Sequence, residues 1–132
     1  MAARIVRWVG AGFHLAAVAG LLTLALLVIQ GEVRDLGEPC VPDDSSSCDL
    51  LWLGWVFAIA LVAIASTMAI GVVVWLRTAR REVLFVGDGL LLAPLLVLGG
   101  FVGWAAAAVL LYPLLTDKRL RVAPSAPSAP SP

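Results

Sequence analysis

The sequence predicts an all-α integral membrane protein with three transmembrane helices and a disordered C-terminal tail. Hydrophobic residues make up 61% of the 132 residues and charged residues only 14%, whereas a soluble domain is about 45–50% apolar and about 25% charged. The apolar residues collect in three long runs with almost no charge. These runs do not alternate with a period of two, and an open sheet would leave unpaired backbone groups in lipid, so helices are expected instead of strands.

The first predicted helix covers about residues 8–29, and no acidic residue, lysine or arginine interrupts it. It is longer than the about 20 apolar residues that a bilayer span requires. Arg4 and Arg7 precede it. Because the apolar core of a signal peptide has only about 7–15 residues, we expect this segment to stay in the membrane as a helix.

The second predicted helix covers about residues 50–76, again without a charged side chain. Trp52 and Trp55 lie at one end of it and Trp75 at the other. Their separation corresponds to roughly 30–35 Å of helix, close to the distance between the two aromatic belts of a bilayer. A short basic loop, residues 77–82, follows at the interface.

The charges of the loops predict an orientation. The loop 30–49 is acidic, with Arg34 as its one basic residue, whereas the N-terminus and the loop 77–82 are basic. Because basic loops stay cytoplasmic, we expect the N-terminus on the cytoplasmic side of the plasma membrane and the loop 30–49 on the extracytoplasmic side. The excess of arginine over lysine, with abundant alanine and glycine, is typical of a GC-rich bacterial genome.

Cys40 and Cys48 are the two cysteines of the chain, and both lie in the loop predicted to face outward. Disulfides persist in oxidising compartments. We therefore expect a structural disulfide across a short loop, worth about 2–3 kcal/mol in the chain-entropy model. The alternative is a redox-active pair, but the spacing is not Cys-x-x-Cys and the surroundings are acidic, which does not favour a thiolate.

The third apolar run, about residues 86–115, permits two interpretations. We favour one helix, and hence three spans, because the first helix usually dominates orientation and a short tail is easily translocated. The alternative is a turn at Gly99-Gly100, which makes two spans plus a re-entrant hairpin, or four short segments. In that case all lysine and arginine residues except Arg34 lie on the cytoplasmic side, which favours the turn. The objection is length, because each arm reaches only about 24 Å and the apolar core of the bilayer is ~30 Å thick.

Small residues recur at intervals of four in every predicted helix, and such rows let helices in lipid approach each other closely. We expect the helices to form one bundle through these rows, with oligomerisation through an unused row as the alternative. The rows are Gly12, Ala16 and Gly20 in the first helix, Ala63, Thr67 and Gly71 in the second, and Gly99, Gly103 and Ala107 in the third.

His14 and Asp88 are polar residues inside predicted helices, each about 10 Å along its helix from the cytoplasmic interface. Polar groups inside a membrane segment are candidate functional residues, and a hydrogen-bonded His–Asp pair can relay protons. The alternative is structural. In that case Asp88, between Gly87 and Gly89, caps the start of a helix, and His14 bonds a neighbouring helix.

The sequence predicts no catalytic, cofactor-binding or metal site. The chain has one histidine, and neither an EF-hand spacing nor a phosphate-binding or hydrolase motif occurs in it. The formal net charge is zero, which provides no electrostatic field for nucleic acid. Residues 1–122 are expected to form a single membrane domain, and residues 123–132, a Pro/Ser/Ala repeat, a disordered tail.

These observations predict a non-catalytic interaction, accessory or assembly subunit. Its expected partners are the lipid bilayer and other membrane proteins or further copies of itself, with no small-molecule substrate. A small homo-oligomeric pore or transporter is the first alternative, since the chain is similar to phage holins in size and hydropathy only. A membrane thiol-redox protein is the second alternative.

Overall fold

The computed structural model describes residues 1–35 and 45–117, and it contains four α-helices and no strand in these ranges. They are α1 (Ala2–Asp35), α2 (Ser45–Thr78), α3 (Glu82–Leu98) and α4 (Gly100–Thr116). The predicted all-helical class is confirmed. Two stretches, Ala2–Arg34 and Trp52–Thr78, are long and apolar enough to cross a membrane by length and composition.

The helices form a bundle in which each one packs against the next along the chain, and α4 packs back onto α1. α1 and α2 have 34 residues each, or about 51 Å. α3 and α4 have 17 residues each, or about 25 Å. The first helix of each pair, α1 and α3, begins at the same end of the bundle. This end is called the basic end below and is defined by its arginines, Arg4, Arg7, Arg77, Arg80 and Arg81. The long pair therefore extends beyond the short pair at the other end.

The prediction of one helix over residues 86–115 is wrong, because the chain turns at Gly99 and Gly100. The Gly99 N–H donates to the Leu95 carbonyl at 2.7 Å and ends α3. Gly100 has a φ of +52°, a left-handed conformation that glycine adopts without steric cost. α4 then runs back along α3, as the alternative with a turn at Gly99-Gly100 described.

The limits of the first two helices also differ from the predicted ones. Residues 30–35 continue α1 and residues 45–49 belong to α2, so much of the expected external loop 30–49 is helical. Cys40, the side chain of Cys48 and the tail 123–132 lie outside the described residues, and the disulfide stays a prediction. The link between α2 and α3 occupies residues 79–81, inside the predicted loop 77–82.

The buried faces of α1 and α2 follow a heptad pattern, in which steps of three and four residues alternate. This spacing is typical of two helices that pack with a left-handed crossing. Among the described side chains, the buried positions other than glycine are Arg7, Ala11, His14, Leu21 and Ala25 in α1 and Ala58, Leu61, Ala65, Met68, Val72 and Trp75 in α2.

The small-residue row predicted for α1 does not pack within the chain. Gly12, Ala16 and Gly20 are all exposed, and a Cβ added at Gly12 or Gly20 would meet nothing within 4 Å. The reason is that Arg7 and His14 lie on the opposite face and turn that face toward partners in the other helices.

The other two predicted rows contribute in part. In α2, Ala63 is exposed and Thr67 half-buried, and only Gly71 is buried. A Cβ added at Gly71 would lie 2.8 Å from the Leu84 Cα, so this glycine permits the close approach of α3. Gly103 and Ala107 are buried and Gly99 is half-buried. A Cβ added at Gly103 would lie 3.3 Å from the Leu96 backbone N, so these residues let α4 approach α3.

Replacing Gly71 by alanine is expected to destabilise the bundle by about 1–3 kcal/mol, because the new methyl group meets rigid backbone of α3. The matched control is Gly12→Ala, which adds the same group to an open face of α1 and is expected to be neutral or to stabilise by up to about 1 kcal/mol. Unfolding of the purified protein in detergent measures both. Equal effects of the two substitutions would contradict the observed face of α2.

Candidate functional site

A buried polar network lies inside the basic end of the bundle. Its members are the polar and charged residues that are buried in the described part of the chain, Arg7, His14, Asp88 and Asp117. They come from α1, from α3 and from the residue after α4, and Trp75 of α2 lies among them. The network therefore joins all four helices near the basic end.

The structure brings His14 and Asp88 together, with 3.0 Å between the His14 Nε2 and the Asp88 Oδ2. The other ring nitrogen, Nδ1, is 2.8 Å from the Gly10 carbonyl. Because a carbonyl only accepts, Nδ1 carries a proton and donates it. A hydrogen bond between Nε2 and Oδ2 then requires one further proton. This proton is either on Asp88, which makes both side chains neutral, or on His14, which makes an imidazolium beside a carboxylate.

Asp88 lies in the second turn of α3, not at its start, so the alternative of an N-cap aspartate is wrong. Its neighbour Gly87 faces α2, where an added Cβ would lie 2.7 Å from the Met68 Cγ. The glycine lets α3 approach α2 closely, and from this position Asp88 reaches across to α1. The second carboxylate oxygen, Oδ1, is buried without a hydrogen-bond partner.

Arg7 forms the second half of the network. Its guanidinium donates to the Trp75 carbonyl and, at 3.4 Å, to the Leu76 carbonyl. These carbonyls belong to the last turn of α2, where a helix leaves its C=O groups without intrahelical partners and where its dipole favours a cation. Arg7 therefore caps the C-terminus of α2 from the neighbouring helix.

Asp117, the residue after α4, connects the end of that helix to Arg7 and Trp75. Its Oδ2 accepts from the Trp75 Nε1 at 3.0 Å and lies 3.8 Å from the Arg7 Nε. In the link between α2 and α3, Arg81 donates from Nη1 to the Leu114 carbonyl at 2.8 Å. A second arginine thus caps a second helix C-terminus at the basic end.

Trp75 connects the two halves of the network. Its side chain is fully buried, and its ring lies edge-on to the His14 ring with 6.3 Å between centroids and an angle of 64°. The sequence interpretation of Trp75 as an aromatic-belt residue is therefore wrong. Since Trp75 bonds Asp117 and contacts His14, the chain of contacts runs from Asp117 through Trp75 and His14 to Asp88.

The sequence identifies His14 and Asp88, but it does not reveal the network roles of Arg7, Trp75 and Asp117 or the capping role of Arg81. Arg7 was interpreted as an interfacial charge, although it precedes His14 by two helical turns and therefore lies on the same face. No comparable signal marks Asp117, because its partners lie in α1 and α2, far away along the chain.

The network connects the helices, and one proton lies between the His14 and Asp88 side chains. Among the described residues, no group of three or more His, Cys, Asp or Glu side chains is placed to hold a metal ion. The hydroxyls of Thr23, Ser66 and Thr67 donate to carbonyls of their own helices. The polar groups at the basic end thus bond helix to helix, and this arrangement resists separation of the four helices.

We expect His14→Ala and Asp88→Asn to destabilise the protein by similar amounts, about 1–3 kcal/mol each. The first change leaves the buried Asp88 carboxyl group without its partner, and the second replaces this carboxyl group by an amide, a weaker partner for the His14 ring. The double variant is expected to lose less than the sum, with a coupling of about 0.5–3 kcal/mol. Unfolding in detergent of the four proteins of this cycle measures the coupling.

The control for this cycle is Thr23→Val, since Thr23 is exposed and bonds its own helix. It is expected to change the free energy of unfolding by less than about 0.5 kcal/mol. Additive and mild effects of the His14 and Asp88 substitutions, no larger than this control, would show that the pair does not hold the bundle together.

Comparison with known protein families, with curated proteins and with solved structures finds no match for this chain. No relative therefore supplies a function, and a fold alone does not imply one. The buried network, the distribution of charge and the apolar exterior are the features of the chain that bear on what it does.

Proposed function

We propose that the chain is a non-catalytic integral protein of the plasma membrane and acts as an accessory or assembly subunit. The observation that carries this proposal is the contrast between interior and exterior. The ionisable side chains His14 and Asp88 are buried and bonded to each other across two helices, while large apolar side chains cover the outside. A protein of this kind offers neighbours an apolar surface and a stable shape.

The exterior supports the membrane part of the proposal. Soluble monomers rarely expose large contiguous apolar patches, but here such side chains are exposed on every helix. They include Phe13, Leu24 and Leu27 on α1, Phe57, Ile59 and Val73 on α2, Val86 and Leu90 on α3, and Trp104 and Val109 on α4. Lipid is the solvent in which such a surface is stable.

The return of α4 to the basic end supports a revised orientation. If the basic end is cytoplasmic, every lysine and arginine except Arg34 belongs to the cytoplasmic side, because Lys118, Arg119 and Arg121 follow Asp117 in the sequence. This distribution agrees with the positive-inside rule far better than three spans do. We therefore propose that α1 and α2 span the bilayer and that both chain ends are cytoplasmic.

The hairpin of α3 and α4 is then re-entrant. At about 25 Å, each arm is shorter than the ~30 Å apolar core, so its tip ends in the hydrocarbon of the outer leaflet. The tip is suited to this position, since Leu98 and Phe101 are 86% and 97% exposed. The turn is tight, and the Gly103 N–H donates to the Gly99 carbonyl at 3.3 Å, which reduces the number of unpaired backbone groups.

The same observations do not favour a homo-oligomeric pore. A pore requires a polar helix face that lines water once the subunits assemble. The exposed hydroxyls of Thr23 and Ser66 are bonded within their own helices, and the charged groups of the spans are turned inward. The apolar exterior instead suits contact with lipid or with the helices of another membrane protein.

A reporter fused after residue 132 and active only in the cytoplasm is expected to give a positive signal, because the hairpin returns the chain to the basic end. A matched fusion in the loop between α1 and α2 is expected to be inactive. A C-terminal reporter that is active only outside the cytoplasm would contradict the re-entrant hairpin and restore the three-span topology.

The accessory role itself is tested by purification of the full chain from its native membrane in mild detergent, with mass spectrometry of the proteins that accompany it. We expect a partner in stoichiometric amount that is absent from a mock purification. A homo-oligomer without any partner that also makes membranes leaky would overturn this role in favour of a pore.

A further inference from the structure

A mostly polar cavity of about 500 Å³ opens at the basic end beside the buried network. Its wall includes Arg4, Arg7 and Trp8 from the first turns of α1, and Asp117 from the end of α4. The network explains why Arg7 and Asp117 are buried, but it does not explain why a cavity of this size lies next to them. Arg4 has no role in the network at all.

The guanidinium of Arg7 is prepared for an anion. Its side chain is 10% exposed, and bonds to the Trp75 and Leu76 carbonyls hold it in place. Its Nε makes no hydrogen bond and lies 3.8 Å from the Asp117 Oδ2, beyond hydrogen-bond distance. Because the side chain is already ordered, it loses little conformational freedom when it binds a ligand in the cavity.

Arg4 adds a second cation on the same side of α1, since residues three apart on a helix are neighbours. The charged groups of the cavity wall are two arginines, one aspartate and the N-terminal ammonium group of Met1. Positive charge is in excess, and this excess suits an anionic group such as a phosphodiester.

The surroundings of the cavity indicate a lipid as the source of that phosphodiester. Trp8 lines the cavity and is mostly exposed, as is typical of tryptophan at the level of lipid headgroups. A second cavity of about 460 Å³ is almost entirely apolar and lies between α1 and α4. Its wall residues Ile5 and Val9 directly follow Arg4 and Trp8 in α1. The groove therefore begins about 100° around the helix from the first cavity, at a similar height.

We propose that the cavity binds the phosphodiester of an anionic phospholipid of the cytoplasmic leaflet, with Arg4 and Arg7 as the anion-binding side chains and the α1–α4 groove as the seat of an acyl chain. This site rests on the membrane placement proposed above. It extends that proposal, because it gives the basic end a ligand that holds it at the bilayer surface.

The test uses the full chain in bilayer discs of phosphatidylcholine and phosphatidylglycerol with identical acyl chains, and native mass spectrometry of the lipids that stay bound. Wild-type protein is expected to retain phosphatidylglycerol about tenfold in preference to phosphatidylcholine, since the arginines form charge-assisted hydrogen bonds with it. Arg4→Gln is expected to abolish most of this preference. Arg80→Gln, the matched control, removes an exposed arginine of the same end outside the cavity wall and is expected to keep it.

Ala3→Trp supplies an independent variant, because Ala3 lines the cavity and the larger side chain fills it without a change of charge. Loss of the preference in this variant supports the site even if Arg4→Gln does not fold. Equal losses in Arg4→Gln and Arg80→Gln would overturn the site in favour of diffuse surface charge.

Three further outcomes would overturn the proposal in distinguishable ways. Displacement of phosphatidylglycerol by an equal concentration of glycerophosphoglycerol, the soluble phosphodiester without acyl chains, would show an anion site that does not recognise lipid. Failure of the protein to enter bilayers would overturn the membrane placement itself. Retention in bilayers without any preference for phosphatidylglycerol would overturn the lipid site alone.

Discussion

The need to pair buried polar groups governs the basic end of this protein. An unpaired polar or charged group away from water costs several kcal/mol, and Arg7, His14, Asp88 and Asp117 are all buried there. Each finds its partner in another helix or at another helix end. This requirement sets the rotation of α1, the depth at which α3 packs, and the place to which α4 returns.

Trp75 lets two separate polar contacts act as one network. It offers its backbone carbonyl to Arg7, its indole N–H to Asp117 and its ring to His14. Around it, Ala11, Val72, Leu84 and Leu114 form an apolar core from all four helices. The low polarity of this core strengthens the hydrogen bonds inside it, and the bonds in turn keep the short hairpin attached to the long helices.

The fold and the candidate site differed in how far the sequence could predict them. Long apolar runs predicted helices, since only a helix pairs its own backbone in an apolar medium. His14 and Asp88 were found because each is an isolated polar residue in such a run. The packing face of α1 was mispredicted from Gly12, Ala16 and Gly20, because rows of small residues occur on more than one face of an alanine- and glycine-rich helix.

The sequence by itself determined that the chain is helical, where its apolar stretches lie, and that one end is basic, because these properties depend on composition along the chain. Only the tertiary structure decided which faces turn inward, that the chain folds back at Gly99, and that Arg7 and Asp117 join the buried pair. The physical reason is that a helix apolar on every side carries no amphipathic signal. Its orientation depends on partners that other helices supply, and these contacts join residues far apart in the sequence.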